Sequence, residues 1–370
     1  MYLVANSQKF IAGLLFTLIN ILFCFKYACR ISGIVGGITV LSYVVFLAIL
    51  SILYKKGKIH FPFKVWIVLL SGFTLVSVFI FQWIPTESLH VDRWEMIQLF
   101  WDSALQGQYP YGTPSPTGNY PGPMPTYFLL AFPFYMLNEV GWMTLIALWL
   151  SLYYWRKLEA KRLSLLMLLL LSSLSIYWEI FARSTIYINS LLFFLYFIEL
   201  KKLPQCSNAR FFGLAILGGI LLSTRNVFVL PLIIWVGYVI RKQEIPLVKL
   251  FSWGGCFLLS FMVTFLPFYL MDPEIALQRN PFITQGSVLL PFQYILLFVG
   301  WAVVNSFFCK RYTDVCMQSG VLLFLTITGH VIYALSESGI DAYLTAGADI
   351  SYYIFCFPFL LESIVNTDVR

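Results

Sequence analysis

Long apolar runs recur along almost the whole of this chain. A helix of about 20 apolar residues, rising ~1.5 Å per residue, crosses a bilayer hydrocarbon core ~30 Å thick. Hydrophobic residues make up 60% of the 370 positions and charged residues only 11%, which leaves too little polar surface for a soluble domain of this size. The runs lie at about 10–25, 31–54, 65–84, 126–155, 163–181, 184–200, 211–224, 227–240, 250–270, 288–308, 318–335 and 345–364. They predict an all-α, polytopic transmembrane helical bundle of about 11–12 membrane segments, formed by residues 1–370 as a single domain.

The distribution of basic residues predicts how the chain is oriented. If the N-terminus is cytoplasmic, 18 of the 24 Lys and Arg residues fall on the cytoplasmic side, as the positive-inside rule requires. Both termini are then cytoplasmic, and loop 85–125 is extracytoplasmic. The net charge of +7 follows from this bias and gives no reason to expect nucleic acid as a partner. Run 1–25 is expected to stay as an anchor, since no small-residue cleavage site follows it.

Two apolar regions depart from simple spans. Residues 126–155 are too long for one crossing, and Pro133 with Asn138-Glu139 divides them into a surface or re-entrant segment and one span. Residues 211–240 carry Arg225 in the middle, which leaves two half-length segments of about 13 residues, too short to cross. Such broken helices are tolerated only within protein or beside a water-filled cavity.

The loop at 85–125 is the longest polar interruption of the chain. Asp92, Glu95 and Asp102 share one face of a predicted helix. The opposite face is apolar enough to lie along a membrane surface, and it carries Trp94, Ile97, Leu99, Trp101 and Leu105. After the helix, the proline-rich and glycine-rich run 109–125 predicts a stiff, extended loop.

The charged residues of these regions suggest a site beside the bilayer. A carboxylate held near a sugar hydroxyl can remove its proton; Asp92 is the candidate base, and Glu95 or Asp102 would position the acceptor or contact a metal. Arg225 fits a phosphate group through its planar fork. The alternatives are solvated acids on a surface helix and an arginine that reaches the outer interface. Glu179 and Arg183, spaced i,i+4, fit a local ion pair or the lining of the same cavity.

These features resemble the GT-C superfamily of integral membrane glycosyltransferases, most closely its polyprenol-phosphate-mannose-dependent mannosyltransferases. In that type an acidic residue, an apolar helix, a G-x-x-x-Y element and a Y-P-x-P-like stretch precede the next span. The matching positions are Asp92, Gly107–Tyr111 and Asn119–Pro123. The broken helix pair around Arg225 is a further likeness, and the similarity covers roughly residues 64–270.

The resemblance implies transfer of mannose or another hexose from a polyprenyl-phosphate donor to a glycan or lipid-linked acceptor at the extracytoplasmic face. Asp92 and Glu95 would be catalytic, and Arg225, Arg183 and Arg279 would bind the donor phosphate. The residues expected at the acceptor or sugar are Asp102, Tyr109, Tyr111, Tyr120 and Glu179. No cofactor is implied, although a divalent metal is compatible with the acids. The expected partners are the lipid-linked donor, the acceptor and membrane lipids.

Three other functions are compatible with the sequence. A transporter or flippase of lipid-linked glycans predicts mid-membrane charges on several spans and related halves, whereas the acids here concentrate in the outer loop. A polysaccharide polymerase or ligase typically has a large outer loop late in the chain, and here it is early. A non-catalytic assembly partner is opposed only by the carboxylates of the outer loop.

Overall fold

The structure is a computed structural model that describes residues 2–89, 91–282, 284, 290–345 and 347–365. Within these ranges the chain contains helices and connecting loops but no β-strand, as predicted for an all-α protein. Arg370 and the start of the predicted run 288–308 lie outside the described residues. The α-helices are, in chain order, α1 (Tyr2–Cys29), α2 (Gly33–Lys55), α3 (Phe63–Trp83), α4 (Arg93–Leu105), α5 (Pro125–Met136), α6 (Trp142–Trp155), α7 (Ala160–Leu171), α8 (Leu174–Phe181), α9 (Ile186–Leu200), α10 (Asn208–Leu222), α11 (Val229–Lys242), α12 (Leu247–Val263), α13 (Leu266–Met271), α14 (Pro273–Gln278), α15 (Phe292–Phe308), α16 (Tyr312–Ser338), α17 (Asp341–Leu344) and α18 (Phe357–Val365).

The chain divides into two compact units. The first unit comprises Met1–Pro85, Gly141–Ile188 and Phe324–Arg370. The second unit comprises Thr86–Val140 and Asn189–Leu323, and therefore contains the whole of the predicted outer helix and its loop.

Several helices are long and apolar enough to cross a membrane. Judged by length and composition, the described part of the chain has four such helices, or five if the bent pair α7–α8 forms one span. The four are Ser7–Cys29, Gly33–Lys55, Phe63–Trp83 and Tyr312–Ser338. The shorter apolar helices are Ile186–Leu200, Asn208–Leu222, Leu247–Val263, Phe292–Phe308 and Ile350–Val365. The chain thus has the long apolar helices expected of a membrane protein.

The predicted span 163–181 is bent rather than straight. Helices α7 and α8 meet at an angle of 54°, at the pair Ser172-Ser173. The last four carbonyls of α7, at residues 168–171, nevertheless all accept hydrogen bonds, from the backbone and hydroxyl of Ser172, the backbone of Ser173 and the hydroxyl of Tyr177. Because these groups would otherwise be left unsatisfied at a helix end, the bend can lie among apolar segments.

The predicted break in 211–240 is confirmed. Helices α10 and α11 have 15 and 14 residues, so at ~1.5 Å per residue each is about 22 Å long and too short to cross the core. Arg225 lies between them in an extended conformation, with φ −152°. The break in 126–155 is confirmed at Asn138, which follows the end of α5 at Met136 and adopts a left-handed φ of 55°. Pro133, predicted to share in this break, lies inside α5 instead.

A close helix contact fixes the end of α10 beside Arg225. A Cβ atom on Gly219 would lie 2.2 Å from the backbone oxygen of Phe257 in α12, so only glycine permits this approach without a shift of the backbone. One turn later, the hydroxyls of Ser223 and Thr264 are hydrogen-bonded at 2.7 Å. Small residues commonly allow such close packing between membrane helices.

Candidate active site

Helix α4 begins directly after Asp92, as the sequence predicted. Its buried stripe consists of Trp94, Ile97 and Phe100, spaced three residues apart, and Phe100 stacks on Phe128 of α5 with ring centroids 3.6 Å apart. The prediction that the apolar face lies along a membrane is therefore wrong for this stripe, which packs inside the protein. Leu105, predicted to belong to it, is 62% exposed. An apolar stripe has the same period whether lipid or protein covers it.

The loop that follows α4 folds back onto Asp92. Between Ser115 and Asn119 the chain makes a tight turn, because Ser115 N–H donates to the carbonyl of Asn119 at 2.8 Å and Gly118 N–H donates to the carbonyl of Ser115 at 2.8 Å. Gly118 has a φ of +84°, a left-handed conformation that glycine adopts without strain. This turn brings three polar side chains to the start of α4.

Three side chains of the turn hydrogen-bond to one oxygen of Asp92. Oδ2 accepts from Ser115 Oγ at 3.2 Å, Thr117 Oγ1 at 2.8 Å and Asn119 Nδ2 at 2.8 Å. Within the part of the chain that the structure describes, Oδ1 accepts no hydrogen bond. Asp92 is half-buried, so its carboxylate is held by protein on one side only.

The two other acids of α4 differ in their relation to Asp92. Glu95 lies in the first turn of the helix and is half-buried like Asp92. Asp102 is ten residues beyond Asp92, about 15 Å along the helix axis, and its Oδ1 accepts a 2.6 Å hydrogen bond from Tyr135 Oη. The prediction that Asp102 contacts the acceptor beside Asp92 is therefore not supported by its position, because Asp102 links α4 to α5.

Two tyrosines of the loop, Tyr109 and Tyr111, are buried and make their contacts within the protein. Tyr111, predicted to stack on a sugar, is 2% exposed and packs edge-on against Phe100 and Phe268, so its position does not support that prediction. Tyr109 is also buried, and its Oη donates to the backbone oxygen of Arg279 at 3.0 Å. Burial and the nearby Asp272 carboxylate raise the pKa of Tyr109 to about 12, which keeps the hydroxyl protonated as a donor at neutral pH.

Tyr120 connects the loop to Arg279. The Arg279 guanidinium carbon lies 4.1 Å from the centre of the Tyr120 ring, within the range of a cation–π interaction. Arg279 directly follows α14, and Tyr120 is half-buried. The structure thus brings together three residues that the sequence analysis had assigned separately to phosphate and sugar binding, namely Tyr109, Tyr120 and Arg279.

The end of the same loop contacts the broken helix. Thr126 N–H donates to the carbonyl of Ser223 at 2.9 Å, and Met124 N–H to that of Thr224 at 3.5 Å. Arg225 is 8% exposed, and its guanidinium carbon lies 5.0 Å from the centre of the Tyr127 ring. Loop 109–127 therefore contacts Asp92, Arg279 and Arg225 in turn.

Glu179 and Arg183 hold helix ends in the first unit, and both are 0% exposed. Glu179 Oε1 accepts from the N–H groups of Ile186 and Tyr187 at the start of α9, at 2.9 and 3.2 Å. Arg183 donates to the carbonyls of Phe81, Ile84 and Phe181, which terminate α3 and α8.

An anion at a helix N-terminus and a cation at helix C-termini complement the helix dipoles. Complete burial and these partners within the protein do not support the predicted roles of Arg183 in phosphate binding and of Glu179 in sugar binding.

Ser115, Thr117 and Asn119 were not predicted to have a functional role. Their signal was a polar S-P-T-G-N segment inside an otherwise aromatic loop, a composition that also suits an ordinary turn. Among the described residues, no three His, Cys, Asp or Glu side chains lie close enough together to hold a metal ion.

No protein-family model, curated protein or solved structure matches the chain. Inference about function therefore depends on the chemistry of the residues themselves. The second unit offers a fixed carboxylate, a second acid one turn later and two arginines on tyrosine rings, all in contact with one loop or its adjoining helix.

Proposed function

We propose that this chain is an integral membrane glycosyltransferase of the GT-C type. It would transfer mannose or another hexose from a polyprenyl phosphate to a glycan or lipid-linked acceptor on the extracytoplasmic side. The observation that carries the proposal is loop 109–127, which binds the Asp92 carboxylate at one point and contacts Arg279 and Arg225 at two others. A single rigid segment thus links a candidate base to two candidate phosphate-binding cations.

The reaction requires one proton transfer and one displacement. The acceptor hydroxyl gives its proton to Asp92, and its oxygen forms a bond to the anomeric carbon of the donor sugar. The bond from that carbon to the phosphate oxygen breaks, and polyprenyl phosphate leaves with the electron pair. Arginine forks stabilise the charge that develops on the leaving phosphate, and Glu95 positions the acceptor.

The position of Arg225 favours a donor that is a lipid. It lies between two apolar helices that are each too short to cross the bilayer core, a place where an ionisable residue is a candidate for function. A phosphate on a polyprenyl chain can be presented there, because its hydrocarbon tail is compatible with the surrounding bilayer. A water-soluble nucleotide sugar has no such tail.

The first prediction concerns donor use. Replacing Arg225 by Lys keeps the charge but removes the bidentate fork, and we expect kcat/KM for a polyprenyl-phosphate sugar to fall roughly tenfold or more. Arg279→Lys should behave in the same way. The measurement is sugar transfer by purified protein in lipid vesicles, with donor concentration varied.

The matched control is Arg241→Lys, which changes an arginine that donates to the carbonyl of Phe307 on the predicted cytoplasmic side. Its kinetics should equal those of the wild type. Unchanged donor kinetics in both Arg225→Lys and Arg279→Lys would exclude these arginines from the site. Wild-type protein that moves the lipid across the vesicle membrane without transferring sugar would be a transporter instead.

The second prediction concerns topology. The proposal includes about 11–12 membrane segments, cytoplasmic termini and an extracytoplasmic loop 85–125. In a background without the native cysteines, we expect Gln108→Cys, at an exposed position, to react with an impermeant thiol reagent added outside cells. Cys206 restored alone, in the predicted cytoplasmic loop, should react only after the membrane is opened. Labelling of both from the same side would contradict the proposed topology.

A further inference from the structure

We infer that Thr117 and Asn119 are positioning residues for Asp92, which fix one oxygen of its carboxylate so that the other faces the acceptor hydroxyl. This inference rests on the proposed function and adds to it two residues that the resemblance does not assign as functional. Both donate to Asp92 Oδ2 at 2.8 Å. They come from 25 and 27 residues further along the chain, so helix α4 alone does not set the carboxylate's orientation.

The donors hold one another as well as the carboxylate. Thr117 Oγ1, whose own hydrogen goes to Asp92, accepts from Asn119 Nδ2 at 3.0 Å. A carboxylate is otherwise free to rotate, because its terminal torsion has a broad, two-fold energy profile. Several donors on one oxygen remove that freedom and distinguish Oδ2 from Oδ1.

The turn itself is stiff. Its backbone is closed by the hydrogen bonds between Ser115 and Asn119 and between Gly118 and Ser115, and Pro114 and Pro116 fix their own φ angles. The donors are therefore in place before substrate arrives, and no further ordering is needed when it binds. Support of this kind around a reacting group is what keeps its geometry productive.

The consequence is a defined direction for the proton. A general base must lie within about 2.6–3.2 Å of the atom that gives up its proton, and small errors in placement reduce the rate strongly. With Oδ2 occupied by the turn, the acceptor proton goes to Oδ1 as the acceptor oxygen bonds to the anomeric carbon and the phosphate leaves. Loss of the donors should affect this step and leave donor binding intact.

The test compares kcat with KM in variants of the turn. Thr117→Val replaces the hydroxyl by a methyl group of similar size, and Asn119→Leu removes the amide. We expect each to lower kcat roughly tenfold or more, because a hydrogen bond to a charged group is lost, while KM for the polyprenyl-phosphate sugar stays within twofold. Thr117→Ser retains the hydroxyl and should restore turnover.

Thr113→Val is the matched control. Thr113 belongs to the same loop, but its hydroxyl is 3.1 Å from Ser103 Oγ rather than on Asp92, so turnover should be unchanged. If Asn119→Leu does not fold, the near-isosteric Thr117→Val carries the test. Normal kcat in Thr117→Val, with Asp92→Asn inactive, would overturn this inference alone. Absence of transfer by wild-type protein would overturn the proposed function and this inference together.

Discussion

Asp92→Asn should lower turnover by ~10²–10⁴-fold, the range that general-base assistance supplies. The amide oxygen can still accept hydrogen bonds from Thr117 and Asn119, so the turn and the start of α4 should remain folded. The amide cannot take up a proton, so the chemical step should fail. The measurement is sugar transfer from a polyprenyl-phosphate donor to a matched acceptor, with thermal unfolding followed on the same samples.

Two other acids of α4 provide the comparison. Asp102→Asn changes an exposed carboxylate of the same helix, bound to Tyr135, and we expect near-normal turnover. Glu95→Gln should lose less activity than Asp92→Asn if Glu95 only positions the acceptor. An inactive Glu95→Gln with an active Asp92→Asn would exchange the two roles. Full activity in both Asp92→Asn and Glu95→Gln would exclude a catalytic role for these two acids. The main support for the proposed glycosyltransferase activity would then be lost.

Arg183→Met should destabilise the fold by several kcal/mol, because each buried carbonyl that loses its hydrogen-bond donor costs about 1–3 kcal/mol. The guanidinium is fully buried and donates to carbonyls at the ends of two helices: Phe81 in the last turn of α3, Ile84 directly after α3, and Phe181 at the end of α8. Glu179→Ala should have a similar effect, because it removes an acceptor from two N–H groups at the start of α9. The measurement is the free energy of unfolding of the wild type and of each variant, determined with denaturant in detergent.

The control is an exposed arginine, Arg210, which pairs with Glu199. Arg210 and Glu199 lie 2.6 Å apart with side chains 53% and 37% exposed. Arg210→Met should therefore cost only ~0–1 kcal/mol. If Arg183→Met proves as stable as Arg210→Met, the assignment of Arg183 to helix ends is wrong, and a ligand-binding role returns for consideration.

Part of the local structure around the candidate site was predictable from the sequence. Asp92 at the head of an outer helix was expected from the sequence, and the structure places three hydrogen-bond donors on it. Arg225 was expected between two half-length helices, and α10 and α11 have those lengths. Arg279 was expected to bind the donor phosphate, but its position on the Tyr120 ring could not be predicted, because the two residues lie more than 150 positions apart in the sequence.

The predictions for Trp94, Ile97 and Arg183, which the structure does not support, have one physical cause. Trp94 and Ile97 were expected to face a membrane and Arg183 a phosphate, because apolar stripes and buried arginines each have two kinds of partner. An apolar stripe at helical spacing shows only that the stripe packs against something apolar. For Trp94 and Ile97 the structure shows that this is the protein interior. Arg183 was likewise predicted to bind a phosphate, whereas its guanidinium donates hydrogen bonds to backbone carbonyls at the end of α3.

The sequence by itself determined the features that depend on neighbouring residues. Apolar runs of spanning length, the helix after Asp92, the break at Arg225 and the division near Asn138 follow from local composition, helical period and turn residues. Only the tertiary structure decided which side of α4 is buried, which loop residues donate hydrogen bonds to Asp92, and which arginines bind backbone carbonyls at helix ends. Most of these contacts join residues 23 to 170 positions apart, and no local pattern encodes which distant groups will meet.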